Sequence, residues 1–447
     1  MQKHESWSLT RTAILIVLAA AAGPQVRAES SSTQPATAAK PLRVLLFAGG
    51  EAHDFDHLPR TLAEALSQSD DLAVRVSTDV AELTEASLRD CDVVAFETCL
   101  ESGLSETQLE LLTKALHEGK GVVAIHCALW CFQDRPQWRA MIGGLVLNHD
   151  RFGPFEAAVV DRGNPIAAGL PEKFTVTDEA YYVDQRRPDM RVILQTARTH
   201  ANRPMPEPLA WTLRHAGGRV FTISLGHDAK VQADPHFLRL LANGIRWAGG
   251  RLGPTTVPSE LERRQGFEPL FNGKTLAGWR YDPKLWKVKD GIIIGSSHPD
   301  GLEVNACAIT EEAFGDFILR FDVKFISGNT GVQFRSEELP QFEVAGYQAD
   351  VVPLGWGNLH EQNGRRRLVD GWTGKAEHAV NVKDWCEMEV EARGPRIIIR
   401  ANGVVTADWT ETDASRPRKG IIALQLHRGE PMEVQFTNIR IKRLNRP

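Results

Sequence analysis

GVVAIHCALW, residues 121–130, decides the fold of the first half of the chain. Val122, Val123, Ala124 and Ile125 form the continuous apolar run of a parallel strand covered on both faces. His126 and Cys127 follow where such a strand turns into a loop or helix. Three readings stay open at this pair: a nucleophilic Cys127 on a strand-to-helix elbow, a metal-ligating His126, or two packing residues.

Outward from this stretch, strand and helix patterns alternate from Leu42 to Arg251. LRVLLFAG (42–49) and CDVVAFET (91–98) are further apolar strands, and SETQLELLTKALHEGKG (105–121) reads as an amphipathic helix ending at glycine. RVILQTA and GRVFTISLG are later strands, and PHFLRLLANGIRWAGG is a closing helix. This order predicts an α/β domain with a flavodoxin-like, doubly wound parallel sheet. GRLGPTTVPSELERRQG (250–266) breaks the rhythm with Pro, Gly and charge and reads as a linker. Beyond it, period-two strands dominate. FILRFDVKF (317–325) puts five apolar residues on one face, WCEMEVEA (385–392) alternates as cleanly, and ANGV (401–404) carries a hairpin-type Asn-Gly turn. An all-β jelly-roll sandwich is expected there.

A length of 447 residues fits two domains, and a net charge of −5 gives no basic field to attract nucleic acid. The N-terminus reads as a signal peptide: Lys3 and Arg11, the apolar run AILIVLAAAA (13–22), then Val26-Arg27-Ala28. Ten apolar residues are too few to span a bilayer. The expected organisation is therefore a signal peptide (1–28) cleaved near Ala28, a flexible leader (29–40), an α/β domain (41–250), a linker (251–266) and a sandwich (267–447). The expected location is periplasmic or secreted, with no membrane span in the mature chain. The six cysteines are too sparse for a disulfide framework and read as free packing thiols.

Ligands of open α/β sheets bind beyond the carboxyl ends of the strands. Several strands here finish in histidine: His53 with Asp54 after the first, His126 with Cys127, and His227 with Asp228. His149 in LVLNHD joins them as a candidate. Their convergence would make a pocket suited to proton transfer or to a divalent metal, with His53, His126 and His227 as its ligands. No other cofactor is expected.

GGEAHDF, AIHCALW, GGLVLNHDRFGPF and TISLGHDA resemble the trehalose-utilisation (ThuA-like) domain, a relative of class I glutamine amidotransferases, over residues 42–250. The amidotransferase nucleophile sits in a Gly-x-Cys-x-Gly elbow. Ile125 and Leu129 flank Cys127 instead, so Cys127 reads as packing and His126 as the functional member of the pair.

In the second half, parity groups polar side chains. GVQFRS sets Gln333 and Arg335 on one side, GYQADVV sets Gln348 and Asp350 together, and IIALQLH sends Gln425 and His427 the same way. WGNLHEQNGRRR adds Trp356, His360, Glu361 and Arg365–Arg367. Amides, carboxylates, Arg and an aromatic ring suit a sugar. FEPLFNGKTLAGW, FILRFDVKF, NTGVQFRS, GYQADV, GWGNLHEQNGR and QLHRGEPMEVQFTNIRIKRL resemble the 3-keto-disaccharide hydrolase domain, a concanavalin-like jelly roll, over residues 267–445. That resemblance implies cleavage of glycosides oxidised to a ketone at C3, and a separate sugar 3-dehydrogenase upstream as partner. Asp350, Glu361 and His427 are then the base candidates and Arg335 the clamp on the enolate. Gln333, Gln348, Trp356, Arg365 and Gln425 are the substrate-binding candidates. Two alternatives stay open: a glycan-binding sandwich on a catalytic α/β domain, and a non-catalytic glycan-adhesion protein.

Overall fold

The computed structural model describes residues 40–199 and 203–444. The expected signal peptide and almost all of the leader lie outside the described residues. The first half is built on β1 (Leu42–Gly50), β2 (Leu72–Ser77), β3 (Val93–Cys99), β4 (Gly121–Ile125), β5 (Leu145–His149), β6 (Gly153–Val159), β7 (Lys173–Asp178), β8 (Tyr181–Asp184), β9 (Arg191–Thr196), β10 (Pro208–His215) and β11 (Gly218–Ile223). Nine of them form one sheet in the order β2-β1-β3-β4-β11-β10-β9-β6-β7, while β5 and β8 make a separate antiparallel pair. β4 is buried along its whole length and runs parallel to β3 and β11, as its apolar run dictates. Helices cover both faces, giving two apolar cores. The helix expected after β3 spans Glu106–His117, and Ser105 and Gln108 close a capping box at its start.

The sheet corrects the expectation of an all-parallel arrangement. Only β2, β1, β3, β4 and β11 are parallel; β10, β9, β6 and β7 continue the sheet antiparallel. The reversal is made by a two-residue hairpin loop, Ala216-Gly217, with φ of 49° and 77°. Both central residues at positive φ is the turn whose twist matches its strands.

The second half is an all-antiparallel β-sandwich of an eight-stranded and a seven-stranded sheet packed on an apolar core. The Asn402-Gly403 turn joins strands Arg396–Ala401 and Val404–Thr410 with both residues at positive φ. The linker is no loose tether. Its helix Glu260–Arg264 is capped by Ser259. Glu262 accepts from Arg440 Nε at 2.6 Å and lies 3.7 Å from Arg191 of β9. One buried carboxylate thus ties the linker to both halves. Among the described residues no helix is long and apolar enough to cross a membrane, and the six cysteines are free thiols.

Candidate functional site

β1, β4 and β11 run parallel, so their carboxyl ends open on one edge, where His53, His126 and His227 meet. Ring centroids are 5.1 Å apart for His53 and His126, 4.9 Å for His53 and His227, and 5.5 Å for His126 and His227. The strained residue at the end of β4 is His126, with φ of 48°, rather than Cys127. His126 is buried, and its Nδ1 donates to the Ser224 carbonyl at 2.8 Å. That fixes the tautomer and leaves the Nε2 lone pair to accept from the Tyr181 hydroxyl at 3.0 Å. Burial and the neighbouring His227 lower His53 to about 4, so its ring is neutral at pH 7.

Glu179 and Tyr181 complete the pocket, and no periodic pattern in the chain marks either. They sit where β7 passes to β8, brought across by the antiparallel part of the sheet. Glu179 lies 3.3 Å from His227 Nδ1, 3.6 Å from His149 Nδ1 and 3.9 Å from His126 Nε2. Asp178 holds this corner by accepting from the backbone N–H groups of Gly226 and Glu179. His149 therefore joins at the rim, through Glu179. Asp54 does not: it is exposed and pairs with His57. Asp228 caps the helix Ala229–Gln232 through Val231 N–H at 2.9 Å. Cys127 is buried among packing residues, and burial pushes its thiol well above the usual range.

Beneath this edge, Glu97 of β3 is buried; one oxygen accepts from Gln232 and the other has no partner. Burial pushes the carboxyl up from 4.5 to about 8. Between those pH values the folded protein holds a proton that the unfolded chain has lost. Stability from this group is therefore full below pH 4.5 and falls until pH passes about 8. Glu97→Gln removes the titration. The variant should gain on the wild type by about 2–4 kcal/mol between pH 5 and pH 9, measured from urea unfolding midpoints. An equal difference at both pH values would mean that Glu97 is ionised in the fold.

In the sandwich, the functional candidates separate by face. Gln333 pairs with Gln348 in register, and Gln348 with His360; Asp350 pairs with Gly331. Val332 opposes Leu424, so the next position along sets Gln425 opposite Gly331. Gln333, Gln348, Asp350 and Gln425 thus share the sheet face turned away from the main core, with His360 beside them. Asp350 and Gln425 stand about 10 Å apart, two strand spacings, with only Gly331 between. A Cβ at Gly331 would come within 2.6 Å of the Gln348 side chain, which occupies that space. Gln348 accepts from Gln333 and donates to Asp350 Oδ1 at 2.6 Å. Burial pushes the Asp350 carboxyl up to about 7, against the opposing hydrogen bonds from Gln348 and Asn358. Both amide atoms of Gln425 and the Gln333 carbonyl are buried without a partner. Burial, with Arg366 next, lowers His360. The sequence reading gives His360 no role.

Arg335, Glu361 and Trp356 lie elsewhere, whereas His427 stays close enough to His360 to bear on its charge. Arg335 sits at a bulge between Phe334 and Glu337 with φ of 48°, which breaks the period-two alternation. Its guanidinium is spent on Asp316 and on the carbonyls of Gly315 and Gly394, so it is not a clamp at Asp350. Glu361 pairs in register with Tyr347 on the core-facing side. There it binds Arg365 and Arg416, and Arg365 in turn binds Glu411. Asp350 and Glu361 are on opposite faces and do not flank one glycosidic bond. Trp356 is fully buried, its Nε1 directed at Met388 Sδ, and offers no stacking surface. His427 follows the end of its strand, half-buried, with Nδ1 donating to the Arg428 carbonyl at 2.6 Å.

No curated protein matches the chain in sequence. Among solved structures, a protein described as ThuA-like from Parabacteroides merdae is 19% identical, covering 49% of this chain and 96% of that chain at a TM-score of 0.42. One described as a glycosyl hydrolase from Parabacteroides distasonis is 21% identical, over 42% of this chain and 99% of that chain, TM-score 0.33. The carbohydrate binding module CBM66 from Bacillus subtilis is 17% identical, over 40% and 95%, TM-score 0.26. These are partial likenesses. Two family models match, "Trehalose utilisation" over residues 43–248 and "3-keto-alpha-glucoside-1,2-lyase-like domain" over residues 266–442. The chain therefore carries a segment that matches the ThuA family followed by one that matches the 3-keto-alpha-glucoside-1,2-lyase-like domain, in that order.

Proposed function

We propose that the protein cleaves 3-keto-glycosides, 3-keto-disaccharides among them, on the outer face of the seven-stranded sheet, with Asp350 as base. One observation carries the reading: a buried carboxyl poised near 7 shares its sheet face with a buried amide, Gln425, whose donor and acceptor are both unpartnered. The domain match at residues 266–442 supports the substrate class.

A C3 ketone acidifies the C2 hydrogen. Asp350 takes it as a proton, and the C2–H electron pair becomes the C2–C3 double bond of an enolate. Gln425 Nε2 donates to the C3 oxygen as charge grows there. Collapse of the enolate restores the ketone, forms the C1–C2 double bond and expels the C1 oxygen with its bonding pair. That oxygen takes up a proton and leaves as the alcohol. Addition of water across C1–C2 gives net hydrolysis; release before addition gives a lyase. A base of pKa near the working pH is the efficient one. The substrate comes from an upstream sugar 3-dehydrogenase, and the site of action follows from the signal peptide: the periplasm or the exterior.

The test is to incubate the full mature chain with a 3-keto-disaccharide and with its unoxidised parent and follow the released sugar. Release from the keto substrate alone supports the reading; equal release from both removes it. Gln348 is a positioning residue whose amide favours ionised Asp350. Activity should rise with pH through about 7. Gln348→Leu should move that acid limb upward by about one pH unit, since a hydrogen bond to a charged group is worth about 1.5–3 kcal/mol. An unmoved limb would detach it from Asp350.

A second reading draws on the histidine cluster: catalysis in the ThuA domain, with the sandwich as a sugar-binding module. Full turnover by an Asp350 variant would favour it.

A further inference from the structure

We infer that the ThuA domain holds a divalent first-row transition metal, of the zinc or cobalt kind, on His53, His126 and His227, with Glu179 beside the open coordination position. This centre is separate from the sandwich site. One nitrogen from each of the three imidazoles lies within 4.8 Å of the others. A tetrahedral ion with bonds of about 2.1 Å needs its nitrogens about 3.4 Å apart, a gap that side-chain rotation closes. The three come from three different strand ends, so the sheet itself sets their convergence.

Two further observations point to a ligand. His126 Nδ1 is committed to the Ser224 carbonyl, the outer hydrogen bond that orients a metal-binding imidazole. Its Nε2, which accepts from the Tyr181 hydroxyl, is the nitrogen an ion would take over from that hydroxyl. His227 Nδ1 is buried and has no hydrogen-bond partner; Glu179 Oε2 lies 3.3 Å away but outside hydrogen-bond geometry. A cation between these groups would satisfy a desolvated nitrogen and a carboxylate that now face one another unbonded. Glu179 also reaches His149 and His126, so it stands at the centre of the open side, where it would meet a metal-bound water. Imidazoles with one carboxylate suit zinc and its first-row neighbours rather than calcium or magnesium.

A second group, His53 with Cys99 and Cys127, is also close enough to hold an ion. The two arrangements differ in spectrum. The full mature chain, stripped with chelator, is titrated with Co(II) and read by visible absorption, then challenged with Zn(II). The expected result is one equivalent of Co(II) with d–d bands, displaced by Zn(II). His53→Gln and His227→Gln, both half-buried positions where folding is checked by circular dichroism, should each weaken binding by about 100-fold or more. The exposed neighbour variant His57→Ala should bind as the wild type does. Absence of saturable binding, or equal affinity in all variants, would overturn the inference. So would a thiolate-to-cobalt charge-transfer band, which would move the ion to Cys99 and Cys127. Sugar turnover enters none of these readouts, so this inference and the sandwich reading fail independently.

Discussion

Asp350→Asn should lower turnover of a 3-keto-disaccharide by about 10²–10⁴-fold, the range that a positioned general base supplies. The substitution keeps shape and the hydrogen bond from Gln348, so substrate binding should persist and the loss should fall on kcat. The side chain is buried, and a neutral amide there costs the fold less than a carboxylate above pH 7, because burial already drives Asp350 toward its neutral form. Stability should therefore hold or rise while activity collapses. A variant that loses both together would point to a folding role for Asp350. One that keeps full activity would move catalysis off this face.

The second large effect concerns stability. Glu262→Gln should cost about 3–5 kcal/mol, the loss typical of breaking a buried ion pair and leaving its partners charged. Arg440, 1% exposed, donates to Glu262 and Glu387, and Arg191 reaches Glu262 from the other half. Burial alone would push the Glu262 carboxyl up, but Arg440 and Arg191 outweigh it and hold it well below its ordinary value. The sign follows. This contribution is present above the unfolded carboxyl's 4.5 and is lost as pH falls toward the depressed value. The gap between variant and wild type should be widest near neutrality and narrow in acid, measured by denaturant unfolding. A pH-independent gap would mean that packing, not charge, carries the effect.

Several features of the fold and site were legible because they are local and periodic. The apolar run of β4 marks a strand buried on both faces, and the capped helix at 106–117 follows from spacing. Parity paired Gln348 with Asp350 and set Gln333 and Gln425 against apolar neighbours because strands hold period two wherever no bulge intervenes. The register across strands then brings the four to one face. Arg335 escaped that rule for one reason: the bulge reverses the alternation within two residues of Gln333. Glu361 illustrates a different limit. Parity separates odd from even positions, but it does not say which set of a short strand meets the core; only the register against Tyr347 does. Trp356 in a glycine-rich loop looked available for stacking, yet the loop folds it inward onto Met388. In the ThuA domain, the His53–His126–His227 convergence was readable from strand ends. Glu179 and Tyr181 were not, because an antiparallel extension of the sheet delivers them. The hairpin loop Ala216-Gly217 held the one local clue to that extension.

Deuterium exchange at C2 separates the elimination route from every rival. The full chain and its Asp350→Asn variant are incubated with a 3-keto-disaccharide in D₂O, and the sugars are read by NMR. Proton abstraction predicts cleavage by the wild type with loss of the C2 hydrogen, and neither above background in the variant. Deuterium takes the place of that hydrogen where water adds back, and is absent from C2 where the unsaturated sugar is released. Cleavage that leaves the C2 hydrogen in place would contradict the account and turn the sandwich site toward direct hydrolysis.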